Sequence, residues 1–230
     1  MSIIPPMLFF IQLLEVECRF RYSVHMMADS LPKTHSRMNS AARLVVFDMD
    51  GTITRPHIDW TVLRQRLQVP AGVPIMAYIE SLPSPRQEQA NAVLEEVEME
   101  AAVEAVLNPG AAELLGQLRA RSLKLALITN NHRRAMQVVV EKFDLDFDLL
   151  LSREDAPLKP APDLLLLALD KFRCAPAEAC FVGDGQYDRL ASEAAGVPYI
   201  HLAHDGQALP EGLAVRSLAE VWTCLSGAGQ

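Results

Sequence analysis

Two carboxylates stand two residues apart in the stretch RLVVFDMDGTIT, residues 43–54. An apolar run there ends on Asp48 and Asp50, and Gly51 and Thr52 follow at once. Polar side chains of a related kind close three further segments. Thr129 and Asn130 follow LALI, Lys159 lies in LKPAPD, and Asp184 and Asp188 lie in GDGQYD. Asp48, Asp50 and Asp184 make an oxygen-rich group suited to a hard cation, most naturally Mg2+. Such a cation offsets the mutual repulsion that otherwise raises carboxylate pKa values. Thr129 supplies a hydroxyl and Lys159 a fixed positive charge, the groups needed to hold phosphate oxygens and to stabilise a transferring phosphoryl group. A single Asp-x-Asp is weak, because acidic turns are common. Four polar clusters in chain order, each at or just past the end of an apolar run, are much harder to obtain by chance.

The elements that must carry these residues follow from periodicity. LVVFDM, LKLALIT, FDLLLS, ACFVGD and VPYIHL lack polar alternation and read as strands buried on both faces. Residues 111–121, 133–143, 162–172 and 187–195 read as helices, so the alternation predicts a parallel sheet with helices on both faces. Ligands of such a sheet bind beyond the carboxyl ends of its strands, where the polar clusters fall. Residues 55–107 break the rhythm with helical patterning and no convincing strand, and read as a small helical insertion. Asn108 is expected to cap the next helix, with Pro109 in its first turn. The Glu-rich stretch 95–104 reads as a solvated helix face, and His57 and Trp60 as packing within the insertion. Asn131, His132 and Arg133 read as surface or capping residues, with substrate contact as the second option.

The bulk properties exclude several classes. A chain of 230 residues, half of them hydrophobic and 22% charged, is long enough for one packed domain with a small inserted module. A net charge of −8 without a Lys/Arg run argues against nucleic acid or an anionic membrane as the partner. Cys18, Cys174, Cys180 and Cys224 lack metal-ligand or redox spacing, which fits a thiol-reducing, cytoplasmic setting. The apolar stretch 3–14 is shorter than the roughly 20 residues of a membrane-spanning helix. Residues 1–40 are therefore expected to be a poorly ordered leader, and the closing SGAGQ a frayed end.

DMDGT, ITN, LKPAPD and GDGQYD together resemble the four motifs of the haloacid dehalogenase superfamily, in its phosphoglycolate-phosphatase-like branch. The resemblance covers residues 43 to about 205. It implies a Rossmann-like α/β core over 41–55 and 108–230 and a small inserted α-helical cap over 56–107. It also implies a Mg2+-dependent hydrolase of a small phosphorylated metabolite, with monomer and homodimer equally open. By the same resemblance Asp48 is the nucleophile, and Asp50 the acid and base. Mg2+ is held by Asp48, Asp184 and the backbone carbonyl of Asp50. Thr129 and the Asn130 amide bind phosphate, Lys159 pairs with phosphate and Asp48, Asp188 supports the metal or Lys159, and Thr52 steadies Asp50. A phosphosugar mutase uses the same core, and no sequence feature separates it. A dehalogenase is disfavoured by the presence of Asp50, and a non-catalytic relative by the intact set. Two features depart from the family pattern. TRPHID follows the first motif without an acidic or serine residue common there, and the insertion is short, which suggests different or larger phosphate esters.

Overall fold

Along the central strand the side chains alternate between two apolar layers, and both layers are covered. The structure, a computed structural model, describes residues 42–227. The expectations for the leader, for Cys18 and for the last three residues lie outside that range. Six strands form one sheet in the order β3-β2-β1-β4-β5-β6: β1 Leu44–Asp48, β2 Lys124–Ile128, β3 Leu149–Leu151, β4 Ala179–Gly183, β5 Tyr199–Leu202 and β6 Ala214–Val215. Every pairing is parallel, and β1 lies between β2 (Val45 beside Leu125, Asp48 beside Ile128) and β4 (Phe47 beside Val182).

The helices are α1 Trp60–Leu67, α2 Ile75–Ser81, α3 Ser84–Glu104, α4 Ala111–Ala120, α5 Arg133–Lys142, α6 Asp163–Phe172, α7 Gln186–Ala195 and α8 Leu218–Ser226. Val45 and Phe47 face a layer built by Leu114 and Leu118 of α4, Met136 and Val139 of α5 and Val221 of α8. Leu44 and Val46 face the opposite layer, with Leu164 and Ala168 of α6 and Ala191 of α7. That double burial is why the strands read as continuous apolar runs, and each fully buried Leu or Phe contributes about 1.5–3 kcal/mol.

The inserted helices α1–α3 carry a separate small cluster of Leu63, Leu67, Ile79, Ala90 and Leu94. Asp59 starts α1 by accepting from the Thr61 and Val62 amides at 2.9 and 3.0 Å. Helix α3 is about 30 Å long at the usual rise of about 1.5 Å per residue. Its first half closes the insertion's cluster, while Ala101 and Ala102 are buried at its far end and Ala102 joins the core beside α5. It thus serves two apolar neighbours on different sides.

Three expectations are corrected. Asn108 is not the cap of α4, which starts after Gly110 at φ +85°. Its carboxamide instead donates to the Gly51, Thr52 and Thr54 carbonyls at 2.9, 2.8 and 3.1 Å, tying down the loop after β1. Trp60 is half exposed rather than packed, and His57 pairs at 2.9 Å with Glu104 on the surface. Strand β6 lies outside the sequence reading because a two-residue edge strand leaves no apolar run to read, and helix α8 adds Leu218 and Val221 to the core beyond the read elements. The described cysteines, Cys174, Cys180 and Cys224, are free thiols. No described helix is long and apolar enough to cross a membrane.

Candidate active site

The carboxyl ends of β1, β2 and β4 and the loop before α6 converge on one site. Asp48 ends β1, and the next residues turn sharply, with the Ile53 and Thr54 amides both donating to the Met49 carbonyl at 2.9 Å. Gly51 sits in this turn at φ +84°. A Cβ there would lie 2.0 Å from Asp184 Oδ2, so the β1 loop and the end of β4 approach as closely as a glycine allows. Gly183 plays the same part for Asp188, whose Cβ and Cγ lie 2.7 Å from where its own Cβ would be.

Lys159 is almost fully buried. Its ammonium is paired with Asp48 and, at 2.7 Å, with Asp188. Asn130 fixes the lysine's backbone from both sides, accepting from its amide at 3.0 Å and donating to its carbonyl at 2.9 Å. The Thr129 hydroxyl accepts the Asn131 amide at 3.1 Å, leaving its own hydrogen to donate. The Asp188 carboxylate also accepts the Gly185 amide at 2.9 Å.

One carboxylate oxygen from each of Asp48, Asp184 and Asp188 lies within 4.8 Å of the others. The sequence reading gathered Asp48, Asp50 and Asp184; the structure puts the Asp188 carboxylate into that group, while the Asp50 carboxylate turns aside to accept from Asn131 Nδ2 at 2.7 Å. Four carboxylates thus face a single lysine, and the electrostatics follow. Burial holds Asp48 above the usual carboxylate range, and the nearby Asp188 adds to this against the pull of Lys159. Burial likewise pushes Asp50 up to about 6 and raises Asp184, which His204 Nε2 partly relieves at 2.9 Å. Burial works to lower the Lys159 pKa, but Asp188 and Asp48 outweigh it and the group stays charged. A divalent cation among the three clustered carboxylates would offset the excess negative charge, and all-oxygen donors suit a hard cation such as Mg2+.

Five of the residues here differ from the sequence reading or lie outside it. The buried Thr52 hydroxyl makes no hydrogen bond to Asp50, whose carboxylate accepts from Asn131. Asn131 and His132 are buried, not surface residues. Glu98, within the stretch expected to be solvated, is buried against His132 and Arg153, because α3 turns this side toward the start of α5. His204 follows β5 and obeys the strand-end rule that found the others, but a lone histidine past a short strand carries no motif.

With this geometry in view, the comparisons with known proteins are direct. The haloacid dehalogenase-like hydrolase family matches residues 42–196. A haloacid dehalogenase-like hydrolase domain-containing protein of Arabidopsis thaliana is 32% identical over 203 residues, which is 82% of this chain and 83% of that protein. The phosphoglycolate phosphatase of Escherichia coli is 36% identical over 101 residues, 43% of this chain and 40% of that enzyme. The crystal structure of a haloacid dehalogenase-superfamily hydrolase, subfamily IA, from Geobacter sulfurreducens superposes with a TM-score of 0.58 at 25% identity. It covers 80% of this chain and 97% of that one. The parallel sheet, the residues at its strand ends and these likenesses agree, and the chain belongs to the haloacid dehalogenase-like hydrolases.

Proposed function

We propose that the protein is a Mg2+-dependent phosphatase that hydrolyses a small phosphate monoester through an aspartyl-phosphate on Asp48. The observation that carries this reading is the pairing of Asp48 with buried Lys159, beside Asp184 and Asp188, with Asp50 held two residues on by Asn131.

In the first half-reaction an Asp48 oxygen bonds to phosphorus as the bond to the leaving oxygen breaks, and Asp50 gives that oxygen a proton. In the second, Asp50 takes a proton from water, whose oxygen bonds to phosphorus while the Asp48–phosphorus bond breaks and inorganic phosphate leaves. Positioned proton transfer of this kind is typically worth about a hundred- to ten-thousand-fold. Burial pushes Asp50 up to about 6, so far more of it is protonated near neutral pH than of an ordinary carboxylate, which suits its first task, while the ionised form suits its second. Thr129 and the Asn130 amide hold phosphate oxygens, and Lys159 offsets their charge while orienting Asp48. Asp48, Asp184 and the Asp50 carbonyl, with Asp188 beside them, would hold Mg2+, which when bound would supply positive charge against the phosphoryl oxygens.

The inserted helices at 56–107 act as a cap in this reading. A cleft of about 380 Å3 lies between Met76 and Glu80 of α2 and the loop carrying Arg153 and Glu154. The substrate is a small phosphorylated metabolite, and the free thiols suit a reducing, cytoplasmic setting.

The test is phosphate release from para-nitrophenyl phosphate with Mg2+, with EDTA, and with Asp48→Asn. Turnover that needs both the metal and Asp48 is expected. Substantial turnover by Asp48→Asn refutes the nucleophile assignment.

A further inference from the structure

A second buried polar cluster lies beside the site and is supplied by the insertion. Glu98 of α3 is 2% exposed. One of its oxygens accepts the His132 amide at 3.0 Å and His132 Nδ1 at 2.5 Å; the other is paired with the Arg153 guanidinium. Both partners grip the turn that follows β2. Arg153 donates from its backbone amide to the Asn131 carbonyl at 3.2 Å and from its guanidinium to the Asn130 carbonyl at 3.5 Å. His132 is the residue just before α5 and its side chain does not cap the helix, so the Glu98 carboxylate meets its buried amide at the positive end of the helix dipole. Between these two held points sits Asn131, whose carboxamide reaches Asp50 at 2.7 Å.

We propose that Glu98 is a positioning residue for the reaction: from the inserted helix α3 it fixes, through His132 and Arg153, the turn whose Asn131 side chain orients the Asp50 carboxylate. The inference rests on the proton-transfer role given to Asp50 above. Its consequence is that the insertion does more than cover the substrate, because it also completes the support of the group that moves the proton. A carboxylate acting only as glue between α3 and α5 would affect stability and leave turnover alone. One that positions Asp50 affects kcat through Asn131.

The experiment is a double-mutant cycle with Glu98→Gln, which keeps the shape and one acceptor but removes the charge, and Asn131→Ala. Glu98→Gln is expected to lower kcat about tenfold to a hundredfold with KM nearly unchanged, the pattern of an interaction needed in the transition state. In the Asn131→Ala background the same change is expected to cost nothing further, since the path to Asp50 is already cut. A Glu98→Gln enzyme that melts earlier but keeps its kcat overturns the proposal, as do effects of the two changes that simply multiply. A crystal structure of Glu98→Gln reads the same point without turnover. Asn131 turned away from Asp50 supports the proposal, and Asn131 in place overturns it. A wild-type enzyme without turnover counts against the role of Asp50, and this structure still decides the role of Glu98.

Discussion

Replacing Gly51 by alanine tests the packing of the site in a way that separates strain from displacement. The residue sits at φ +84°, so any L side chain there costs about 1–2 kcal/mol in backbone strain alone. The added methyl would also lie 2.0 Å from Asp184 Oδ2, 2.5 Å from its Cγ and 2.9 Å from its Oδ1. All three carboxyl atoms are too close, so rotating the group about its own axis gives no relief. Asp184 must swing away, losing its 2.9 Å contact with His204 and its place beside Asp48 and Asp188. Gly72 provides the control, with φ +78° and nothing within 4 Å of an added Cβ. Gly72→Ala is expected to lose about 1–2 kcal/mol in urea unfolding, and Gly51→Ala at least as much. Only Gly51→Ala is expected to lose turnover, about a hundredfold or more, matching Asp184→Ala and adding nothing to it in the double variant. Gly51→Ala with wild-type kcat would refute the placement of Asp184 beneath the β1 loop.

Two further outcomes concern stability. Asn108→Ala removes three contacts to loop carbonyls and is expected to cost about 1–3 kcal/mol by chemical denaturation. A loss no larger than that of an exposed surface change would mean the loop holds itself. Asp148 lies at the other end of the sheet, where burial acts to raise its pKa. Bonds from Lys124, the Leu125 amide and Arg119 outweigh this and hold it below the usual range. A depressed folded-state pKa stabilises the fold above the unfolded value of about 3.9, and that contribution disappears as pH falls through the folded value. The stability gap between wild type and Asp148→Asn is therefore expected to be full at pH 7 and to shrink below about pH 4. A gap independent of pH in urea titrations would rule out the charged pairing.

Much of the candidate site was legible in sequence because Asp48, Thr129, Asn130 and Asp184 end or directly follow a continuous apolar run. Asp48, Thr129 and Asp184 needed only the period of the strands and the rule that ligands of a parallel sheet gather at carboxyl ends. The same reasoning placed the helical insertion between the first two strands of the chain. It could not predict which acid of Glu95–Glu104 turns inward, since α3 has two apolar neighbours and no single buried stripe.

Order along the chain, strand period and charge were thus set by local chemistry, and they determined the sheet, the motif residues and the excess of carboxylates over cations. Other features were decided only by packing. Asn108 caps nothing and binds the Gly51 loop, Asn131 rather than Thr52 holds Asp50, and Asp188 rather than the Asp50 carboxylate joins the acidic group. Each of these depends on where two segments far apart in sequence meet, as Glu98 and His132 do across 34 residues. Hydrogen bonds between such segments follow from side-chain direction on elements already docked, and that direction exists only once the fold has closed.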